Sequence, residues 1–160
     1  MNNLEIKNSK GQSLFEVVVA VAISALIMVS LVSLVSNSIR NASFSRNKGI
    51  AGTYAQQATE WLRGQRDGNI ATFSINVQTP VWCLKDLNWI PSQAGSCSGE
   101  GDQIAATPFS RQATFNLSTV TDPDGATKDI VEVDVSVSWE DSSGSHVVTS
   151  ATNFADWRQR

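Results

Sequence analysis

Residues 17–35, VVVAVAISALIMVSLVSLV, decide the fold class of this 160-residue chain. The run holds 19 consecutive residues without a charge, and only its three serines are polar. At about 1.5 Å per residue, a helix of this length spans about 28 Å, close to the ~30 Å apolar core of a bilayer. A lone strand in lipid would leave its backbone groups without hydrogen-bond partners, so the run is predicted to be a membrane-spanning helix.

Two other interpretations of this run stay open. A core helix of a soluble protein is one, although soluble cores rarely use roughly 18 or more uncharged residues in succession. A secretory signal peptide is the other, although its apolar region has roughly 7–15 residues. Ser36-Asn37-Ser38 has the small-x-small pattern of a signal peptidase site. Cleavage near Ser38 would release a secreted β-domain binding protein, and without cleavage that protein would be membrane-anchored.

The composition excludes several classes of function. Charged residues make up 17% of the chain, the net charge is −3, and no run of Lys or Arg occurs. Electrostatic binding of nucleic acid is therefore not expected. One His and two Cys cannot build a zinc site of four Cys and His ligands. Because no nucleophile–base pattern occurs either, the sequence predicts a non-enzymatic protein without a cofactor or metal.

The residues before the apolar run form a motif, Lys10-Gly11-Gln12-Ser13-Leu14-Phe15-Glu16. A carboxylate at the edge of a membrane segment costs up to about 3 kcal/mol and needs a partner, which makes Glu16 a functional residue by default. The motif resembles the class III signal peptide of type IV pilins and type II secretion pseudopilins. That peptide has a short basic leader ending in Gly, a Glu five residues after the cleaved bond, and then an apolar helix. The start of the helix, residues 15–22, resembles that of minor pilins and minor pseudopilins.

The resemblance implies a processing step and an assembly step. Prepilin peptidase would cut between Gly11 and Gln12, and the new amino group of Gln12 would be the site of N-methylation. Gln12 stands where the family usually has Phe or Met. An amine and a carboxylate in apolar surroundings strongly favour pairing. Glu16 would therefore meet the Gln12 amine of a neighbouring subunit and set the register between helices.

The resemblance also implies a function and its partners. The chain would be a structural subunit, a minor pilin or pseudopilin, of a type IV pilus or a type II secretion-type fibre. It would cross the bacterial inner membrane once, with its head outside the cytoplasm, before it enters the fibre. The implied partners are other pilin or pseudopilin subunits, prepilin peptidase, the inner-membrane assembly platform and membrane lipid. No nucleic-acid partner is expected.

The rest of the chain predicts a long helix and a small sheet. Apolar residues spaced three and four apart between Ile50 and Leu62 continue the helix, which we expect over Leu14–Gln65. Alternating apolar residues predict strands near 112–120, 130–140 and 145–153, joined as an antiparallel meander. The fold class is therefore α+β, with the helix packed on the sheet as in type IV pilins.

The cysteines and the domain boundaries complete the prediction. Cys83 and Cys97 most simply form one disulfide in an exported domain, and two free thiols are the alternative. We expect a leader over 1–11 and the transmembrane, assembly half of the helix over 12–36. The amphipathic half of the same helix follows over 37–67, and the β-sheet head over 68–160.

Overall fold

The computed structural model describes residues 14–121, 125 and 127–155. In chain order its elements are α1 (Leu14–Gly68), α2 (Ile70–Asn76), β1 (Val81–Cys83), a 3-10 turn (Pro91–Gln93), β2 (Ser110–Thr121), β3 (Thr127–Asp141) and β4 (Gly144–Ala155). The chain divides into two compact units, the first ending at Ser45 and the second beginning at Arg46. Gly11 and Gln12, the predicted cleavage site, lie outside the described residues.

The first unit contributes residues 14–45 of α1, and every side chain in this part of the helix is exposed. Its hydroxyls are satisfied locally: Ser24 donates to the carbonyl of Ala20 at 2.8 Å, and Ser30 to that of Leu26 at 2.9 Å. Bonds of this kind keep serine compatible with an apolar environment. α1 is long and apolar enough to cross a membrane, with a mean hydropathy of 2.8 in its most apolar window.

The second unit is an α+β domain, as the sequence predicts. Its four strands form one antiparallel sheet in the order β1-β2-β3-β4. The end of α1 packs on this sheet through a row of mostly small residues, and α2 adds Phe73 to the same core. The helix residues fully buried in the core are Ala51, Ala55, Ala58 and Leu62. Small side chains let the helix backbone approach the sheet closely.

The three predicted strands lie within β2, β3 and β4, and their alternation is confirmed. On β3, Val133, Val135, Val137 and Trp139 are buried, whereas Glu132 and Asp134 face outward. The predicted helix end at Gln65 is three residues early, since α1 continues to Gly68.

The sequence analysis predicts strands but no helix within the head, and the structure adds α2 there. The Asn69 side chain caps this helix by accepting from the N–H of Thr72 at 3.0 Å. Its sequence, IATFSIN, has little intrinsic helix preference. Burial of Phe73 in the core stabilises the helix instead, which is a tertiary effect that local sequence does not carry.

Candidate functional site

The apolar surface of residues 14–45 of α1 is the largest in the described chain. Long apolar side chains are exposed all round the helix, including Leu14 at 82%, Leu26 at 69% and Val32 at 66%. A helix that is apolar on every side needs lipid or other apolar protein around it. This surface is therefore the candidate site for membrane anchoring.

Glu16 is the acidic residue in the first turn of α1. A carboxylate there interacts favourably with the positive end of the helix dipole. Its neighbours Phe15 and Val17 are exposed at 75% and 46%, so the carboxylate stands within the apolar surface. No ion pair within the described residues includes Glu16, and the amine that the sequence assigns to it lies at Gln12, outside them. The register pair stays a prediction.

Cys83 and Cys97 are joined in a disulfide, with 4.9 Å between their Cα atoms. The chain between them lies against the outer edge of β1. Trp82 forms an isolated bridge with Ala94, and Gly95 donates its N–H to the carbonyl of Val81 at 2.8 Å. The disulfide thus closes a loop that covers one edge of the sheet.

We expect this disulfide to stabilise the head. Cys83→Ser and Cys97→Ser should each lower the free energy of unfolding by about 3 kcal/mol, the entropy-model value for a loop of about 15 residues. The double variant should lose little more, because both changes remove the same bond. Thermal unfolding of the three variants checks the energies. Two titratable thiols per native chain in air-exposed protein would contradict the bond itself.

Arg111 is a buried residue of β2 that the sequence analysis does not identify. Its side chain is 2% exposed and donates to three carbonyls, those of Leu84 at 2.9 Å, Tyr54 at 3.3 Å and Lys85 at 3.3 Å. Burial lowers its pKa, while the charges of Tyr54 and Asp86 act in the opposite direction. A guanidinium stays protonated in proteins. Arg111 is thus a buried cation that ties α1 and the start of the disulfide loop to the sheet.

Four aromatic residues hold the same loop on the core. The ring centroid of Trp89 lies 4.8 Å from that of Trp61, 5.0 Å from Trp82 and 6.1 Å from Phe115. Trp89 also donates its indole N–H to Gln65 on α1 at 3.2 Å. Tilted and edge-on contacts of this kind add to area burial. These tryptophans are therefore part of the core rather than an exposed adhesive surface.

Ser, His and Asp side chains meet at the β3–β4 turn without forming a hydrolytic triad. Asp141 Oδ1 accepts from Ser143 Oγ at 2.5 Å and lies 3.0 Å from His146 Nε2, which is 3.2 Å from Ser143 Oγ. A triad requires one ring nitrogen on the nucleophile and the other on the carboxylate. Here the same nitrogen faces both. The hydrogen bonds from Ser143, together with His146, lower the pKa of Asp141 to about 2, so this cluster stabilises a turn.

A cavity of about 140 Å³ opens between α2 and the far ends of β2, β3 and β4. Its floor is apolar, with Phe73 and Phe154, and Arg66 stacks 5.2 Å above the Phe154 ring. Leu117 lies on the same face of β2 as Ala113 and Phe115, yet it is 47% exposed because it lies at this opening. Lys128 and Asp129 stand on the same rim as Arg66.

The described residues hold no cluster of three or more His, Cys, Asp or Glu side chains that could bind a metal ion.

Comparison with known proteins identifies the N-terminal segment alone. Residues 6–32 match the family model described as the prokaryotic N-terminal methylation motif. No curated protein and no solved structure matches the chain. The match spans the predicted cleavage site, Glu16 and most of the exposed apolar part of α1.

Proposed function

We propose, from the type IV pilin-like class III signal peptide that residues 6–32 carry, that this chain is a structural subunit of a type IV pilus or type II secretion-type fibre. The finer assignment is a minor pilin or pseudopilin without enzymatic activity. One observation carries the proposal: the methylation motif includes most of the uncharged stretch 17–35 of α1, and every side chain of that stretch is exposed. A helix of that kind is built to be covered, first by lipid and then by other subunits.

Processing is the first step of the proposed pathway. Prepilin peptidase cleaves after Gly11 and frees the amino group of Gln12, which is the atom available for methylation. The cleavage also places a positive charge four residues before Glu16 in the sequence. Without cleavage the basic leader, with Lys7 and Lys10, would remain attached at the position where the subunits must pack.

Register between subunits is the proposed role of Glu16. In apolar surroundings a carboxylate without a partner costs several kcal/mol, and an amine from the next subunit offsets that cost. The apolar side chains around Glu16 hold helices together but do not distinguish one axial offset from another. The charged pair does distinguish them, because only one offset brings the amine of Gln12 to the carboxylate.

Location follows from the same features. Membrane anchoring by α1 is supported by its length and by the motif, and the head is proposed to lie outside the cytoplasm. The disulfide supports this orientation, since such bonds persist in oxidising compartments. The proposed segments are the leader 1–11, the assembly half 12–36, the amphipathic half 37–67 and the head 68–160. The proposed partners are other fibre subunits, prepilin peptidase, the assembly platform and lipid.

The mature N-terminus tests this proposal. We expect intact-mass analysis of membrane-extracted protein to give a chain that starts at Gln12. Gly11→Lys should leave the leader attached, because the bulky side chain replaces the small residue before the cut bond. Ser38→Lys is the matched control and should be processed normally.

The alternative predicts the opposite pattern. Ordinary signal peptidase would give a terminus near Ser38, blocked by Ser38→Lys and indifferent to Gly11→Lys. A wild-type terminus anywhere except Gln12 would rule out the fibre-subunit assignment.

A further inference from the structure

The two edges of the sheet differ in how they are covered. At the β1 edge, the disulfide loop lies alongside the strand, with its bridge from Ala94 to Trp82 and the hydrogen bond from Gly95 to Val81. At the opposite edge lies β4, which pairs with β3 and with no other strand of the described residues. β4 therefore forms the longer edge of the sheet, and no described segment of the chain covers it.

The register shows which backbone groups of β4 point outward. Leu84 donates to the carbonyl of Arg111 and Phe115 to that of Pro80, both at 2.8 Å, so odd-numbered residues of β2 bond toward β1. Backbone groups alternate direction along a strand. The even-numbered residues of β2 therefore bond to the even-numbered residues of β3, with which they pair. The odd-numbered residues of β3 then bond to the even-numbered residues of β4. The backbone groups of the odd-numbered residues of β4 consequently point away from β3. These residues are Ser145, Val147, Thr149, Ala151, Asn153 and Ala155.

β4 lacks the usual devices that prevent edge pairing. Residues 144–155 contain no Pro, Lys, Arg, Asp or Glu. The strand pairs with β3 over twelve consecutive positions without a bulge. Natural sheets protect a long edge with charges, prolines, bulges or a cover, because a bare edge is a template for another strand. The absence of all of these along 144–155 indicates that the edge of β4 pairs with a strand of another molecule.

The neighbouring strand supplies a charge preference. Glu132 and Asp134 of β3 are exposed on the outer face, opposite Asn153 and Ala151 of β4. Glu132 also accepts from Asn116 of β2 at 3.2 Å, so the proposed contact uses its other carboxylate oxygen. A strand added beside β4 would lie about 10 Å from β3, at two strand spacings. The long stem of a Lys or Arg side chain, together with that of a Glu or Asp, is sufficient to cover this distance. The small side chain of Ala151 leaves the path to Asp134 open, so a cation on the added strand can reach the carboxylate.

We propose that the outer edge of β4 binds an extended segment of another protein that carries Lys or Arg at alternate positions. The segment adds a fifth, antiparallel strand by backbone hydrogen bonds. Its first cation faces Asn153 beside Glu132, and its second, two residues later, faces Ala151 beside Asp134. An apolar residue four positions after that faces Val147, which is 62% exposed. A second copy of β4 fits less well because it brings no cation, and the inference does not depend on how the N-terminus is processed.

A designed peptide tests the edge directly. The probe is fluorescent Lys-Val-Lys-Val-Thr-Val-Val-Thr-Lys, titrated with the full chain in neutral detergent micelles at low salt. We expect saturable binding that weakens as salt rises. The same peptide with Glu in place of its three Lys should bind roughly tenfold more weakly. Equal binding of the two peptides, or none by either, would overturn the proposal.

Variants of the chain test whether the peptide binds at the edge of β4. Thr149→Pro removes an outward N–H without removing a bond to β3, so it should abolish binding, whereas Thr149→Val should bind as the wild type does. Circular dichroism checks that both fold. The double variant Glu132→Lys, Asp134→Lys should prefer the Glu peptide, which reverses the wild-type preference even if overall affinity falls.

Three further results would contradict the proposal. Unchanged binding by a folded Thr149→Pro would place the peptide elsewhere. Concentration-dependent dimers that the peptide does not dissociate would assign the edge to a second copy. Binding only after deletion of residues 156–160 would show that the chain covers its own edge.

Discussion

Glu16→Val is expected to remain cleaved and membrane-inserted and yet to be recovered in sheared fibres at roughly one tenth of the wild-type level or less. The change removes a carboxylate from the apolar surface of α1, so insertion should be as good as before or better. Processing should persist, because Gly11 precedes the cut bond and is unchanged. The variant lacks the carboxylate proposed to pair with the Gln12 amine. A loss of about 1.4 kcal/mol in pairing free energy is enough to lower incorporation into fibres tenfold.

Two matched variants separate charge from shape at this position. Glu16→Gln keeps the size of the side chain without its charge and should fail as Glu16→Val does. Glu16→Asp keeps the charge on a shorter side chain and should be intermediate. Immunoblots of sheared fibres measure incorporation, and intact mass measures processing in the same samples. Normal incorporation of Glu16→Val and Glu16→Gln would reduce Glu16 to an interfacial carboxylate without a role in register.

Arg111→Met should destabilise the head by about 4 kcal/mol, or about 15 °C in thermal midpoint for a domain of this size. Methionine fills a similar length but donates no hydrogen bond. The carbonyls of Leu84 and Lys85 would lose a donor in a buried setting, and each unsatisfied buried group costs about 1–3 kcal/mol. Tyr54 on α1 would lose its link to β2 as well.

Arg63→Met is the control for Arg111→Met. Arg63 lies on α1 with a side chain 44% exposed, paired with Glu60 three residues before it. Exposed pairs of this kind contribute about 0.2–1 kcal/mol. Tryptophan fluorescence during urea unfolding of the full chain in detergent reports on both variants. If the two variants unfold at the same urea concentration, Arg111 is not a structural tie.

The sequence predicts those parts of the molecule whose signal is long or strictly periodic. The uncharged run 17–35 predicts a helix, and the alternation through Val133, Val135 and Val137 predicts β3 together with its buried face. β1 has three residues, too few for any alternation to register. α2 depends on the burial of one phenylalanine, and burial is a property of the assembled core.

The candidate sites likewise divide into those with a local sequence signal and those that depend on distant parts of the chain. The motif around Gly11 and Glu16 is visible because its residues are close in sequence, but the partner proposed for Glu16 lies on another subunit, which the sequence of one chain does not place. Arg111 could have been found: Ala113 and Phe115 point inward on β2, and the same alternation extended by two residues places Arg111 inward too. Which carbonyls would receive its hydrogen bonds depends on chain segments 26 to 57 residues away, and no local pattern encodes that.

The core of the head has a helix side, formed by the buried alanines of α1, and a sheet side. These two sides tolerate opposite kinds of mutation. Ala51, Ala55 and Ala58 contribute almost no volume, so the space is filled from the sheet side by large residues such as Phe109 and Trp139. At these three alanines, every substitution except Gly enlarges the side chain and forces the helix and sheet apart, at about 1–3 kcal/mol each. Substitutions on the sheet side mostly shrink one and leave a void. Sequence drift in this domain should therefore be confined to the outer face of the sheet and the polar face of the helix.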